Sequence, residues 1–246
     1  MLFSADRIDL FVNYHTISTK YIRRYLDHLR RGVVSFPATD YNKHAMDDLV
    51  ASLEKNWTDA LRGKRILDIG CGDGYTLSRI RDKGISSDLL GISVNRDDVA
   101  LAKKMTGIKV KFGDMHSIPM PEGSVDALIV RHCLEHSPMP LFALFEMHRV
   151  LKATDGLLVV VLPANTPFWV EYEGHFHCMP KENWRKLFRE AGFDVAAEEN
   201  GTWYAKSTDA HEEEWRFFLR PREITEGRKP HTSIYREVID RIVGRR

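Results

Sequence analysis

The chain has 246 residues, 43% of them apolar, and carries 36 Lys plus Arg against 35 Asp plus Glu. That length suits one α/β domain with additions, and the near-zero net charge argues against a protein that coats nucleic acid. Cys71, Cys133 and Cys178 have no paired spacing and read as reduced thiols of a cytoplasmic protein. No apolar run reaches about 18 residues and no apolar leader follows Met1, so neither a membrane span nor secretion is expected.

Residues 1–62 read as a helical cap. Ile17, Tyr21, Tyr25 and Leu29 recur at helical spacing, with Arg23, Arg24, Arg30 and Arg31 on the same segment. Gly32 to Pro37 interrupts the pattern. Asp40 is placed to start a second helix, whose stripe Met46, Leu49, Val50, Leu53, Trp57 and Leu61 suits the face of a sheet. The core domain is expected over 63–222 and a basic helical appendage over 223–246, where Ile234, Val238 and Ile242 share a helical face.

The most informative stretch is RILDIGCGDG, Arg65 to Gly74. Ile66 to Ile69 is a short apolar run, broken by Asp68 and closed by Gly70, Gly72 and Gly74. Such a run bounded by glycine reads as a buried strand, and the glycines allow a sharp turn and close approach of a ligand to bare backbone. Tyr75 to Lys83 follows as a helix stopped by Gly84. Strand, glycine turn and helix open a nucleotide-binding βαβ unit, but the spacing is G-x-G-x-G and not the G-x-G-x-x-G of dinucleotide binders.

Later elements alternate in the same way. Ser87–Val94 reads as the second strand, followed by a helix over Asp97–Met105 with Asn95 as its N-cap and Asp98 three residues on, as in a capping box. Val110–Asp114 is the third strand and Val125–His132 the fourth. A helix over Leu141–Leu151 leads to the continuous apolar run Gly156–Ala164, a fully buried fifth strand. A loop dense in aromatics and histidines then reaches Pro180, which begins a helix with Trp184, Leu187, Phe188 and Ala191 on one face. Phe193–Asn200 and Trp215–Arg220 complete the set. The fold class expected is α/β, a Rossmann-like, doubly wound, seven-stranded and mostly parallel sheet with an antiparallel last strand, flanked by the helical cap and a C-terminal helix.

LDIGCGDG resembles the first motif of the class I S-adenosylmethionine-dependent methyltransferases, of the small-molecule, type 11-like kind. GDMHSIPMPEGSVDALIV, RHCLEHSPMP, the RVLK that follows and AGFDV extend the resemblance over about Arg65 to Arg220. It implies S-adenosylmethionine as cofactor, held by Asp68, Gly70, Cys71, Gly72, Gly74, Ser93, Asn95, Asp114, Met115 and Arg131. Asp114 would accept from the adenine amino group, with the Met115 backbone beside the ring. The family commonly ends its second strand in an acid that holds both ribose hydroxyls. Here GISVN has Ser93, whose hydroxyl can make one such bond but not a bidentate pair.

Methyl transfer from a sulfonium is an in-line displacement, in which the protein supplies orientation and a dry site. Where the acceptor must lose a proton, histidine is the natural base, and the candidates are His132 after the fourth strand and His175 or His177 after the fifth. Phe168, Trp169, Tyr172 and Phe176 suit a flat or apolar acceptor. His132, Cys133, His136, His175, His177 and Cys178 are ligand types at no recognised zinc spacing, so no metal is expected. The leading expectation is a methyltransferase acting on a small molecule or glycan. One acting on nucleic acid or protein through the basic terminal segments stands second. Third is a non-catalytic binding subunit of this fold, favoured by Ser93 and disfavoured by the three turn glycines and Asp114.

Overall fold

The protein was analysed as a computed structural model that describes residues 40–172, 174–205 and 209–222. The arginine-rich segment before Asp40 and the appendage after Arg222 lie outside the described residues. In chain order the elements are α1 (Asp40–Leu61), β1 (Ile66–Ile69), α2 (Tyr75–Asp82), β2 (Leu89–Ser93), α3 (Arg96–Thr106), β3 (Lys109–Phe112) and β4 (Ala127–Arg131). A 3-10 turn (Leu134–His136) then precedes α4 (Pro140–Val150), β5 (Leu157–Pro163), α5 (Pro167–Val170), α6 (Lys181–Glu190), β6 (Phe193–Ala205) and β7 (Ala210–Pro221).

The strands form one seven-stranded sheet in the order β3-β2-β1-β4-β5-β7-β6. The first five pair in parallel, and β7 inserts antiparallel to both β5 and β6. The order reverses between β1 and β4, so their carboxyl ends frame the crevice in which open α/β sheets hold ligands. Alternate side chains of the buried strands feed two cores. On one face Leu67, Ile69, Leu128, Val130, Val160 and Phe217 pack with Leu144 and Met147 of α4 and Trp184 and Phe188 of α6. On the other, Ile66, Ile129, Val159 and Phe218 meet Leu49, Val50 and Leu53 of α1 and Leu77 and Ile80 of α2. Trp57 of α1 stacks on Phe218 with ring centroids 4.6 Å apart. The stripe read on this helix therefore covers the sheet as expected.

The hairpin at the sheet edge is longer than the sequence suggests. β6 runs five residues past Asn200, and β7 begins five before Trp215, so Gly201–Ala205 pair with Ala210–Glu214. This outer section is rich in Glu and hydroxyl residues and lacks the apolar alternation that marks a strand. The short helix α5 was likewise hidden inside an aromatic loop. None of the described helices is long and apolar enough to cross a membrane.

Candidate active site

The glycine turn opens the site. Gly70, Gly72 and Gly74 have φ of 76°, 53° and 79°, all in the left-handed region that glycine enters without a Cβ penalty. The turn is pinned from below, because Gly70 and Cys71 both donate their N–H to the Ile92 carbonyl, at 2.9 and 3.1 Å. Gly70 has a packing reason as well, since a Cβ there would come within 2.8 Å of Cys133 Sγ. Cys71 is buried beneath the turn against β2, where a Cβ on Gly91 would meet its sulfur at 2.5 Å. Asp47 of α1 ties that helix to α2 beside the turn, accepting from Tyr75 Oη at 3.1 Å and Arg79 Nε at 2.7 Å.

Carboxylates gather around this turn. Asp68 is buried in β1, and burial raises its pKa to about 7 against the lowering influence of Arg131. At the end of β2, Ser93 Oγ donates to buried Asp98 Oδ2 at 3.0 Å and accepts from the Asn95 N–H at 3.0 Å. Asn95 caps α3 as expected, its Oδ1 accepting from Asp97 N at 2.8 Å. So the carboxylate missing from the strand end is supplied from the first turn of α3. Beyond β3, buried Asp114 Oδ1 accepts from the His116 N–H at 2.8 Å and faces His116 Nδ1 at 2.6 Å, while Met115 packs into the core. His116 Nε2 reaches Ser137 Oγ at 2.6 Å, which locks this loop to the turn after β4. The two neighbouring thiols register the shared negative field. Burial first, then Asp68, Asp98 and Asp73, push Cys71 well up; burial first, then Glu135, Asp114 and Asp68, do the same to Cys133.

The other wall is built on β4, β5 and β7. Arg131 closes β4, with its guanidinium 3.2 Å from Glu214 Oε2 and 4.9 Å from the centre of the Trp203 ring. Glu214 is fully buried. Burial opposes its charge, but Arg131, His132 and Arg216 outweigh that and lower its pKa to about 2. Arg216 donates to Glu214 Oε1 at 2.9 Å and to Asp48 of α1 at 2.8 Å, passing over Gly201, where a Cβ would collide with it at 2.3 Å.

His132 has φ of 44°, a strained value for a residue with a Cβ, and such strain persists where the surroundings over-determine the position. Here its N–H donates to the Val161 carbonyl, Nε2 donates to Glu214 at 3.0 Å, and Nδ1 faces Glu135 Oε1 at 3.4 Å. Burial lowers its pKa, but these two carboxylates more than compensate and leave it raised.

The histidine loop lies against this wall. His136 Nδ1 donates to the Gly174 carbonyl at 2.8 Å, the structural bond expected of it. His175 stacks on Trp169 at 5.5 Å, with Nδ1 3.1 Å from the Trp169 carbonyl, and burial drops its pKa to about 4. His177 stands outside this cluster, half-buried, with its pKa lowered by burial although a bond to the Pro138 carbonyl opposes that. Trp169 and Trp203 face His132 with centroids 5.2 and 5.1 Å away, and Tyr172 contacts His175 at 4.8 Å, so two of the loop aromatics pack around the histidines together with Trp203. Phe176 is exposed.

Sequence reasoning singled out the histidines and missed their partners. Glu214 was passed over because it sits in a charged stretch, HEEEWR, that reads as solvated surface, and His116 was not singled out. The D-x-H spacing of Asp114 and His116, which suits a side-chain-capped turn, was the one available signal.

Residues 40–198 match the family described as methyltransferase domain. Among curated proteins the chain is 32% identical over 120 residues to an uncharacterized 37.1 kDa protein in transposon TN4556 of Streptomyces fradiae, covering 46% of this chain and 34% of that protein. It is 31% identical over 111 residues to demethylmenaquinone methyltransferase of Staphylococcus aureus, covering 43% of this chain and 45% of that enzyme. The chain thus spans less than half the length of these relatives. A SAM-dependent methyltransferase from Thermotoga maritima superposes with a TM-score of 0.56 at 19% identity, over 84% of this chain and 97% of that one, a likeness of fold.

Proposed function

The chain belongs to the methyltransferase domain family, and from that premise we propose that it transfers a methyl group from S-adenosylmethionine to a small-molecule or glycan acceptor. The observation that carries this reading is the gathering of buried Asp68, Asp98 and Asp114 around a glycine turn. A dinucleotide would bring its anionic pyrophosphate to such a turn, where these groups oppose it. A sulfonium with an ammonium group complements them, so the residues present fit this cofactor.

The cofactor supplies an electrophilic methyl group; the protein's residues bind, orient and exclude water. Backbone at Gly70–Gly74 admits the ligand closely, and Asp68 faces its cationic end. Ser93 together with Asp98 takes the ribose hydroxyls, which replaces the single strand-end acid of the family pattern. Asp114, held by His116, takes the adenine edge. Tyr172 and Trp203 offer flat apolar faces to the acceptor.

Cofactor binding should depend on pH through Asp68. In the free protein Asp68 holds its proton up to pH about 7. A cationic ligand favours the ionised form, so binding releases that proton below pH 7. Affinity is therefore full above that pKa and falls as pH drops below it, by up to about tenfold per unit. Calorimetry between pH 5.5 and 7.5 should show this slope, and Asp68→Asn should bind weakly at every pH. A wild-type Kd constant across the window would remove Asp68 from the site.

On the acceptor side we assign the proton contact to His177. His132 and His175 are held inside the buried cluster by Glu214 and the Trp169 carbonyl, whereas His177 is half-buried outside it, with one bond to the Pro138 carbonyl. His177→Ala should lower turnover about 100-fold, the usual scale of such assistance, while donor affinity stays unchanged. Unchanged turnover with a lowered Tm would instead make His177 a loop fastener.

A further inference from the structure

Three imidazoles converge on one buried carboxylate in a way that the hydrogen bonding leaves incomplete. Glu135, in the 3-10 turn after β4, is fully buried, and neither of its carboxylate oxygens has a hydrogen bond of normal geometry. Around Oε1 lie His132 Nδ1 at 3.4 Å, His175 Nε2 at 3.9 Å and His136 Nε2 at 4.0 Å. One ligand atom from each of Glu135, His136 and His175 can be chosen so that all lie within 4.8 Å of one another.

The tautomers can be derived. A carbonyl oxygen only accepts, so His136 Nδ1 and His175 Nδ1, at 2.8 and 3.1 Å from the Gly174 and Trp169 carbonyls, carry the protons. Glu214 is an ionised carboxylate, so His132 Nε2 carries a proton toward it at 3.0 Å. In the neutral ring each opposite nitrogen then presents a lone pair, and all three lone pairs face the same carboxylate oxygen. Lone pairs against a carboxylate repel. One proton would relieve one contact, whereas one cation would relieve all three.

From this geometry we propose that His132 Nδ1, His136 Nε2, His175 Nε2 and Glu135 bind a first-row divalent metal ion, with Zn²⁺ the best match. Three imidazoles and a carboxylate are a zinc donor set, and a tetrahedron with ligands about 2.1 Å from its centre has edges of about 3.4 Å; Glu135, His136 and His175 form the compact part of this set, and His132 Nδ1, 3.4 Å from Glu135 Oε1, joins it through that carboxylate. The supporting bonds are those that metal-bound histidines make, each ring donating its far N–H to a carbonyl or a carboxylate. Zinc sites with four protein ligands are closed and structural. This one would fasten the loop after α5, which carries Tyr172 and His177, to the turn after β4. The sequence hides it, because the ligands lie at positions 132, 135, 136 and 175 and match no familiar spacing.

The full chain, purified without a metal-chelating column and stripped with chelator, is titrated with Zn²⁺ alone. One equivalent should bind, as read by calorimetry and by metal analysis after gel filtration. With zinc at about 100 times its Kd, Tm should rise by roughly 5–10 °C. Glu135→Gln and His136→Ala should each weaken binding at least about 100-fold, since even outer-shell changes cost 10–100-fold, and His148→Ala on α4 should leave it unchanged. Should those variants fold poorly, X-ray absorption of the zinc-loaded wild type decides, with imidazole and oxygen scatterers expected. Failure to bind zinc, retention of tight binding by both variants, or sulfur among the ligands would overturn the proposal.

Discussion

Glu214→Ala should cost about 3–5 kcal/mol, the largest loss of stability expected from any single side chain at this site. Glu214 is fully buried and joins Arg131, His132 and Arg216 from β4 and β7. Removing it strands the buried Arg131 guanidinium, whose Nε already lacks an acceptor, and leaves Arg216 with Asp48 alone. An uncompensated buried charge is what makes breaking such a network expensive, whereas an apolar replacement of the whole group can be neutral. For a domain of this size the loss corresponds to a fall in Tm of about 10 °C. Denaturant unfolding of Glu214→Ala measures it, and a change under 1 kcal/mol would mean that the network is solvated and carries no such weight. Glu214→Gln keeps the shape and loses the charge, so it should fall between wild type and alanine.

The central strands were legible because they are short apolar runs, and burial on both faces produces that pattern directly. β5, LLVVVLP, is buried at every position, and its limits were read to within a residue. The outer half of the β6–β7 hairpin was not legible. Its stability comes from pairing along a sheet edge and from a Glu214–Arg216–Asp48 chain that crosses from β7 to α1, and neither leaves a periodic trace. At the site, the glycine turn was read from local spacing, since backbone conformation is local, and Asp114 from the resemblance carried by GDMHSIPMPEGSVDALIV. The Glu135 cluster was not, because it depends on bringing the turn after β4 against a loop some forty residues later. The departure at Ser93 was visible, but its resolution was not: Asp98 was read as a capping residue, and only the fold places it 3.0 Å from the serine hydroxyl.

Gly72→Val should abolish cofactor binding. Gly72 has φ of 53°, at which a β-branched residue is strongly disfavoured, and its side chain would stand on the turn that the ligand must approach. Gly63→Val provides the control, because its φ of 68° imposes the same kind of strain where nothing lies within 4 Å of an added Cβ. Both variants should lose stability, but only the first should lose the ligand. Equal affinity in Gly72→Val and wild type would show that the turn is not the cradle.

Calorimetric titration of the wild-type chain with S-adenosylmethionine, its demethylated product and NAD, in parallel at pH 7.5, tests the central claim most directly. The carboxylates around the glycine turn predict one site per chain for the methyl donor and its product, and no heat with NAD. Binding of NAD without binding of the methyl donor would contradict the proposed function outright.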